Sequence, residues 1–182
     1  MMAKALMPLV FGVTGVVGLS CAESEAHAGQ RNVKIEYALA SGKITLAEAI
    51  SKIESQLSGK VLEAKVEREH GRFIYEIELA KDGGIIEVEI DPQNGETLSS
   101  RKKDLEADDQ RLLTALSGAR VSLTEAIKIA LQHTQGIAKR AELEEEHGSV
   151  IFEIKVIRAG KEYKSGIDLA HGKVLWMDVD DD

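Results

Sequence analysis

The fold of this chain is decided by a segment that occurs twice: ITLAEAISKIESQLSG, residues 44–59, and VSLTEAIKIALQHTQG, residues 121–136. In each segment a hydroxyl residue stands three positions before a glutamate, which is the capping-box pattern of a helix N-terminus. Apolar residues then recur at intervals of three and four, so each segment predicts a helix with one apolar face. The hydroxyl and glutamate pairs are Thr45 with Glu48, and Ser122 with Glu125.

The two segments open a longer repeat. Residues 44–98 align with residues 121–175 without a gap, at a constant offset of 77 positions (121 − 44). After each helical segment the apolar period changes from 3.6 to 2, which predicts strands. The sequence therefore predicts an α+β fold of two units, each a helix packed on a small antiparallel meander. The predicted turns are His70-Gly71 and Gly83-Gly84 in the first unit, and His147-Gly148 and Gly160-Lys161 in the second.

Glycines mark the predicted helix ends and one strand register. Gly59 and Gly136 directly follow the helical segments and predict their termination. A two-residue turn at Gly83-Gly84 pairs Leu79 with Val88, so that apolar residues face apolar residues. A slip of one residue would move every side chain to the wrong face of the sheet, which favours this register.

The same register predicts an acidic patch on the other face of the first sheet. It places Glu78 opposite Glu89, and Glu76 opposite Asp91. Like charges directly opposite one another destabilise a sheet unless a cation offsets their repulsion. Carboxylate oxygens are the ligands that Ca²⁺ prefers. We therefore consider a Ca²⁺-type site, a binding surface for a basic segment of a partner, or an ordinary solvated sheet face.

Composition excludes several classes of function. Among 182 residues, 23 are Lys or Arg and 31 are Asp or Glu, a net charge of −8. No basic run of five or more residues is present, so nucleic acid is not an expected partner. The single cysteine, Cys21, excludes an intrachain disulfide and a cysteine-based zinc site. No nucleophile elbow, phosphate loop or zinc motif occurs, so the sequence predicts a non-catalytic protein.

The first 28 residues are typical of a secretory signal peptide. Lys4 precedes an apolar stretch, residues 5–19, and Ala26-His27-Ala28 forms a small-x-small cleavage pattern, so we expect cleavage after Ala28. This predicts a periplasmic or secreted protein with no spanning segment in the mature chain. Alternatively, Gly18-Leu19-Ser20-Cys21 is similar to a bacterial lipobox, in which case Cys21 would be lipidated and anchor the chain to a membrane.

Together the two repeats resemble the PepSY domain, and residues 121–175 show the pattern more closely than residues 44–98. The shared motifs are Thr45-Leu46-Ala47-Glu48-Ala49-Ile50 and Ser122-Leu123-Thr124-Glu125-Ala126-Ile127; Glu69-His70-Gly71 and Glu146-His147-Gly148; and Ile90-Asp91 with Gly95, and Ile167-Asp168 with Gly172. The resemblance implies an envelope interaction module without catalytic residues, whose protein partner could be a peptidase. Because no peptidase domain follows, such restraint would act in trans. The alternative function is a cation-responsive envelope protein that uses the acidic patch.

The remaining segments complete the predicted domain plan. We expect a signal peptide over residues 1–28, a first repeat over 29–98 and a second over 121–177. Residues 99–120, which contain four leucines, predict a linker with a short helix, and residues 178–182 predict a frayed acidic tail. Trp176 is expected to cap the second core. Each unit is near the lower size limit for a stable core, so we expect the two units to dock.

Overall fold

The computed structural model describes residues 19–105 and 107–180, which form four helices and eight strands. In chain order they are α1 Leu19–Ala40, α2 Leu46–Leu57, β1 Lys60–Glu69, β2 Arg72–Lys81, β3 Gly84–Ile90, β4 Thr97–Lys103, α3 Ala107–Ser117, α4 Leu123–Thr134, β5 Ile137–Glu146, β6 Ser149–Arg158, β7 Lys161–Asp168 and β8 Val174–Asp180.

All eight strands form one antiparallel sheet in the order β4-β3-β2-β1-β5-β6-β7-β8. At its centre β1 pairs with β5, and Ala64 lies opposite Ala141. These two alanines are equivalent positions of the repeat, 77 residues apart. The two halves are therefore related by a pseudo-two-fold axis that passes between them, perpendicular to the sheet.

The repeat is longer than the sequence predicted. Each of the strands β1 to β4 begins and ends 77 residues before the corresponding strand of β5 to β8, to within one residue. The helix α3 likewise corresponds to residues 30–40 of α1. The short helix expected within residues 99–120 is confirmed as α3, but residues 99–103 belong to β4 and are not a linker. Asp178 lies in β8, so the prediction of a frayed tail from residue 178 is wrong. The edge strand β4 is mostly polar and lacks the apolar alternation by which the inner strands were recognised.

The predicted docking of the two units is confirmed, because they share one core. Both predicted apolar helix faces are buried against the same side of the sheet, and α2 contacts α4. Ile35 and Leu39 of α1 also belong to this core, and α3 packs against it. The buried helix residues are Leu46, Ala49, Ile50 and Ile53 in α2, and Leu123, Ala126, Ile127 and Ala130 in α4.

The predicted strand register is wrong by two residues. The turn between β2 and β3 is Asp82-Gly83, both with positive φ, so Leu79 lies opposite Ile86 rather than Val88. A shift of two residues leaves every side chain on its own face, so the apolar alternation could not detect it. The Asp-Gly sequence, which favours a type I′ turn, decides the register. The second unit has the same correction, with its turn at Ala159-Gly160.

Both capping boxes are confirmed, whereas the helix ends differ from prediction. The left-handed residues after α2 and α4 are Ser58 (φ 55°) and Gln135 (φ 54°), one position before the predicted glycines. Gly59 and Gly136 are instead required for close packing. A Cβ atom on Gly136 would lie 2.2 Å from the carbonyl oxygen of Ile157.

This close approach predicts a large effect of Gly136→Ala. Because the contact is with backbone, β5 and β6 must move apart, and we expect the free energy of unfolding to fall by about 2 kcal/mol. Gly118→Ala is the control, since its Cβ would lie 3.6 Å from the nearest atom. Urea unfolding measures both variants. Equal stability of Gly136→Ala and the control would contradict the packing described here.

Candidate functional site

The side of the sheet opposite the helices carries alternating charged side chains, and we call it the outer face. All four helices pack on the other side, in the common core. In the first half the outer-face charges lie on β1 to β4, and in the second half on β5 to β8. They include Glu63, Lys65, Glu67, Glu76, Glu78, Glu87, Glu89, Arg101 and Lys103, and Arg140, Glu142, Glu144, Glu153, Lys155, Lys164 and Asp178.

Ion pairs connect these side chains within and across the two halves. Lys65 Nζ lies 3.0 Å from a carboxylate oxygen of Glu76, and 3.7 Å from one of Glu63. Arg140 of β5 lies 2.7 Å from Glu63 of β1, so an ion pair crosses the central seam. The outer face therefore offsets most of its own charge through contacts along and between strands.

Glu87 is the most deeply buried acid of the outer face, with an exposed fraction of 2%. Arg101 of β4 pairs with it, and Lys103 Nζ lies 3.5 Å from its second oxygen. Lys103 also pairs with Glu78. Hydrogen bonding to Glu78 is the largest cause that raises the pKa of Lys103, so this lysine stays charged. The basic edge strand β4 thus compensates the acidic strands beside it.

The structure changes the membership of the predicted cation patch. With the corrected register Glu76 lies opposite Glu89, and Glu78 lies opposite Glu87. Asp91 lies in the turn after β3, where its side chain accepts the N–H of Gln93 at 2.8 Å. Carboxylate oxygens of Glu76, Glu78 and Glu87 lie within 4.8 Å of one another. Sequence reasoning missed Glu87 because the register was displaced by two residues.

Several equivalent outer-face positions carry opposite charges in the two halves. At the seam Ala64 lies opposite its own counterpart Ala141, whereas Glu63 lies opposite Glu142 and Lys65 lies opposite Arg140, which are pairs of like charge. Glu63 and its own counterpart Arg140 form an ion pair at 2.7 Å diagonally across the axis, which offsets the repulsion within these pairs. The same inversion occurs away from the seam. The inverted pairs include Glu63 and Arg140, Lys65 and Glu142, Glu78 and Lys155, Glu87 and Lys164, and Arg101 and Asp178.

A second acidic cluster lies on β5 and β6. Carboxylate oxygens of Glu142, Glu144 and Glu153 lie within 4.8 Å of one another. Partial burial is the largest cause that raises the pKa of Glu144 to about 7, and a hydrogen bond with Glu153 adds to it. Lys155 lies 3.3 Å from Glu153 and offsets part of the repulsion. Glu144 is thus partly protonated close to neutral pH.

The two edge strands differ in their helix-side residues. β8 presents a stripe of Leu175, Met177 and Val179, of which Leu175 and Val179 have exposed fractions of 48% and 43%. The equivalent residues of β4 are Leu98, Ser100 and Lys102. Only Leu98 of these three is apolar, and its exposed fraction is 41%. One edge is therefore apolar on this side, and the other is polar and basic.

Trp176 does not cap the second core, so that prediction is wrong. It lies on the outer face opposite Gly166, where a Cβ atom would lie 2.4 Å from the indole nitrogen. The indole Nε1–H donates to Glu146 at 2.6 Å. The missing side chain of Gly166 thus makes room for the indole ring on the outer face.

The N-terminal predictions lie at the limit of the described residues. Residues 1–18, with most of the apolar stretch, are outside them, and Cys21 is described only as part of the α1 backbone. α1 continues across Ala28 without a break. Its Glu36 accepts the N–H groups of Ala159 and Gly160, both at 3.1 Å. Within the described part of the chain, no helix is both long and apolar enough to span a membrane.

Glu144 predicts a dependence of stability on pH. Because its pKa is raised in the folded state, it favours folding at low pH, and this contribution is lost as the pH rises from about 4.5 to about 7. We expect Glu144→Gln to unfold at a higher temperature than the wild type at pH 8, with a smaller difference at pH 5. Glu67→Gln, the equivalent change in β1 beside Lys65, is the control. A Glu144→Gln difference that does not vary with pH would contradict the raised pKa of Glu144.

Comparison with known proteins gives the family. The family described as "Peptidase propeptide and YPEB domain", PepSY, matches residues 43–101 and 120–175. The YkoJ protein of Bacillus subtilis (strain 168) is 24% identical over 98% of both chains. A candidate lipoprotein of Clostridium difficile 630 (21% identity, 76% of this chain and 95% of that one) has a TM-score of 0.48. The C-terminal domain of Bacillus megaterium YpeB is 10% identical, over 76% of this chain and 66% of that one, and has a TM-score of 0.27. The chain belongs to the PepSY family and carries two PepSY domains in tandem.

Proposed function

We propose that this protein is a non-catalytic interaction module that binds an extended segment of a protein partner along β8. The observation that carries the proposal is the apolar stripe of β8 at the edge of the sheet. An edge strand offers a row of backbone N–H and C=O groups to an added strand. The stripe of Leu175, Met177 and Val179 would then bury alternate apolar side chains of that strand.

β8 is favoured over β4 because their side chains differ. Charged residues, lysine above all, protect edge strands from pairing with other chains. β4 carries Arg101, Lys102 and Lys103 in sequence, and two of them neutralise acids of β2 and β3. β8 has no basic residue and retains its apolar stripe. The two edges thus have the same backbone, but only β8 suits a partner strand.

The charge of β8 narrows the chemistry of the partner. Asp178 points to the outer face, on the side opposite the stripe. A strand that alternates apolar and basic residues would match both sides of β8, since period-2 alternation places successive side chains on opposite faces. The family description supports a peptidase as the partner, restrained in trans.

The proposed location is the periplasm or the extracellular space. PepSY domains are typically found there and are generally non-catalytic. The signal-peptide pattern of residues 1–28, with cleavage after Ala28, supports this location. Asn32 and Ile35, which are buried, and Glu36, which accepts hydrogen bonds from the β6–β7 turn, follow the proposed cleavage point. Lipidation at Cys21 is the alternative.

The edge proposal is tested by making β8 resemble β4. Leu175→Lys with Val179→Lys should reduce capture of the partner from secreted and envelope fractions at least tenfold, measured by quantitative mass spectrometry. Leu98→Lys, the equivalent change on β4, is the control and should capture as the wild type does. The proposal is supported if the wild type and the control capture a peptidase that the double variant does not capture, and if the wild-type protein inhibits that peptidase in a casein assay. Equal capture by all three proteins would exclude β8.

Cation binding is the second candidate function, and the proximity of Glu76, Glu78 and Glu87 favours it. Glu89 lies opposite Glu76 and could add a ligand, whereas Asp91 bonds within its own turn. Lys103 already contacts two of these acids and competes with a cation. If Ca²⁺ binds, millimolar Ca²⁺ raises the melting temperature of the wild type but not of Glu76→Gln. An unchanged melting temperature of the wild type would remove this candidate.

A further inference from the structure

The two halves meet at a cleft on the helix side, which we call the junction cleft. The connection between α1 and α2 forms one wall, and the end of α4 with the start of β5 forms the other. Its volume is about 490 Å³, within the range of about 300–1,000 Å³ typical of small-molecule sites. The apolar side chains that line it include Leu39, Ile44, Leu46, Ile127, Leu131 and Ile137.

The pseudo-two-fold axis places an equivalent cleft in the other half, and that cleft is smaller and polar. Its volume is about 190 Å³. Glu54 stands at the position of Leu131, and its carboxylate accepts the N–H of Val61 at 3.2 Å. Lys60 stands at the position of Ile137. The two clefts therefore have the same backbone, but polar side chains fill the smaller one, and the junction cleft is lined by apolar side chains.

The junction cleft has a positive rim. Lys43 and Lys128 line it, and both are exposed. Within residues 19–105 and 107–180, neither lysine lies within ion-pair distance of a carboxylate; Lys128 acts on Glu125 only at longer range. Glu48 also lines the cleft, but its carboxylate accepts the N–H of Thr45 at 2.7 Å. An apolar cleft with two available ammonium groups at its rim suits an apolar molecule with an anionic end.

The backbone hydrogen bonds of the wall formed by the α1–α2 connection favour an aliphatic chain over a peptide as the ligand of the cleft. The N–H groups of Lys43 and Ile44 donate to the carbonyl of Pro92, at 2.9 and 3.4 Å. The N–H of Gly42 donates to the carbonyl of Leu39 at 3.0 Å, and the Tyr75 hydroxyl donates to the carbonyl of Ile44 at 3.1 Å. A bound peptide strand needs main-chain partners, which this wall already uses internally. An aliphatic chain needs none.

We propose that the junction cleft binds an aliphatic chain with one carboxylate, the chemistry of a fatty acid. The chain lies against Ile44, Leu131 and Ile137, and the carboxylate lies beside Lys43 and Lys128. Because the walls come from different halves, the bound molecule bridges the two repeats and stabilises their arrangement. This site is separate from β8 and does not depend on partner binding there.

Dodecanoate, used below its micelle concentration, tests the proposal by calorimetry and thermal unfolding of the whole protein. We expect saturable binding and a higher melting temperature. Lys43→Gln with Lys128→Gln should weaken binding at least tenfold, and Leu131→Glu, which copies Glu54 of the equivalent cleft, should abolish it. Glu54→Leu is the control and should not change binding at the junction cleft.

Three results would overturn the proposal. The first is no binding of dodecanoate up to millimolar concentration. The second is equal binding by the wild type and the double lysine variant, whose changed side chains are exposed and should not affect folding. The third is tighter binding of a leucine-rich peptide with a free C-terminus than of dodecanoate, which would identify a peptide site.

Discussion

The pairing of β1 with β5 is the interaction on which the rest of the structure depends. Each half alone would leave this strand as an unpaired edge, with a core from two helices and four strands. Joining the halves at Ala64 and Ala141 removes both edges and merges the two cores into one. Both alanines are fully buried. Their small side chains leave room for α2 and α4, which contact each other over the seam.

The pseudo-two-fold arrangement also makes the differences between the halves informative. The backbone that the two halves share requires the capping boxes, the apolar helix faces and the closely packed glycines Gly59 and Gly136, and these features occur in both halves. The differences lie on the outer face, at the edge strands and in the clefts beside the α1–α2 and α3–α4 connections. On the outer face, the diagonal ion pair between Glu63 and its counterpart Arg140 favours opposite charges at these equivalent positions beside the axis. At the edges and the clefts no such constraint explains the differences, and there we place the proposed binding surfaces.

Sequence patterns predicted the elements that bury a periodic apolar face. They failed for the exposed, polar strand β4 and for a strand register that the pattern could not determine. The capped helices were recognised because hydroxyl, glutamate and apolar residues all agree. β4 was missed because its sequence, residues 97–103, is mostly polar. The register at β2–β3 was displaced because two-residue shifts preserve alternation, and Glu87 was missed as a result. The junction cleft requires two distant segments, near Ile44 and Leu131, and no local pattern could indicate it.

The central claim is that the two repeats fold as one unit through the β1–β5 seam. Equilibrium urea unfolding tests it most directly when followed by two probes. Trp176 is the single tryptophan and lies in β8, so its fluorescence reports on the second half, whereas far-ultraviolet circular dichroism reports on both halves. A shared core predicts one transition with the same midpoint for both probes. Two transitions, with fluorescence following only one of them, would show that the halves unfold separately and contradict the account.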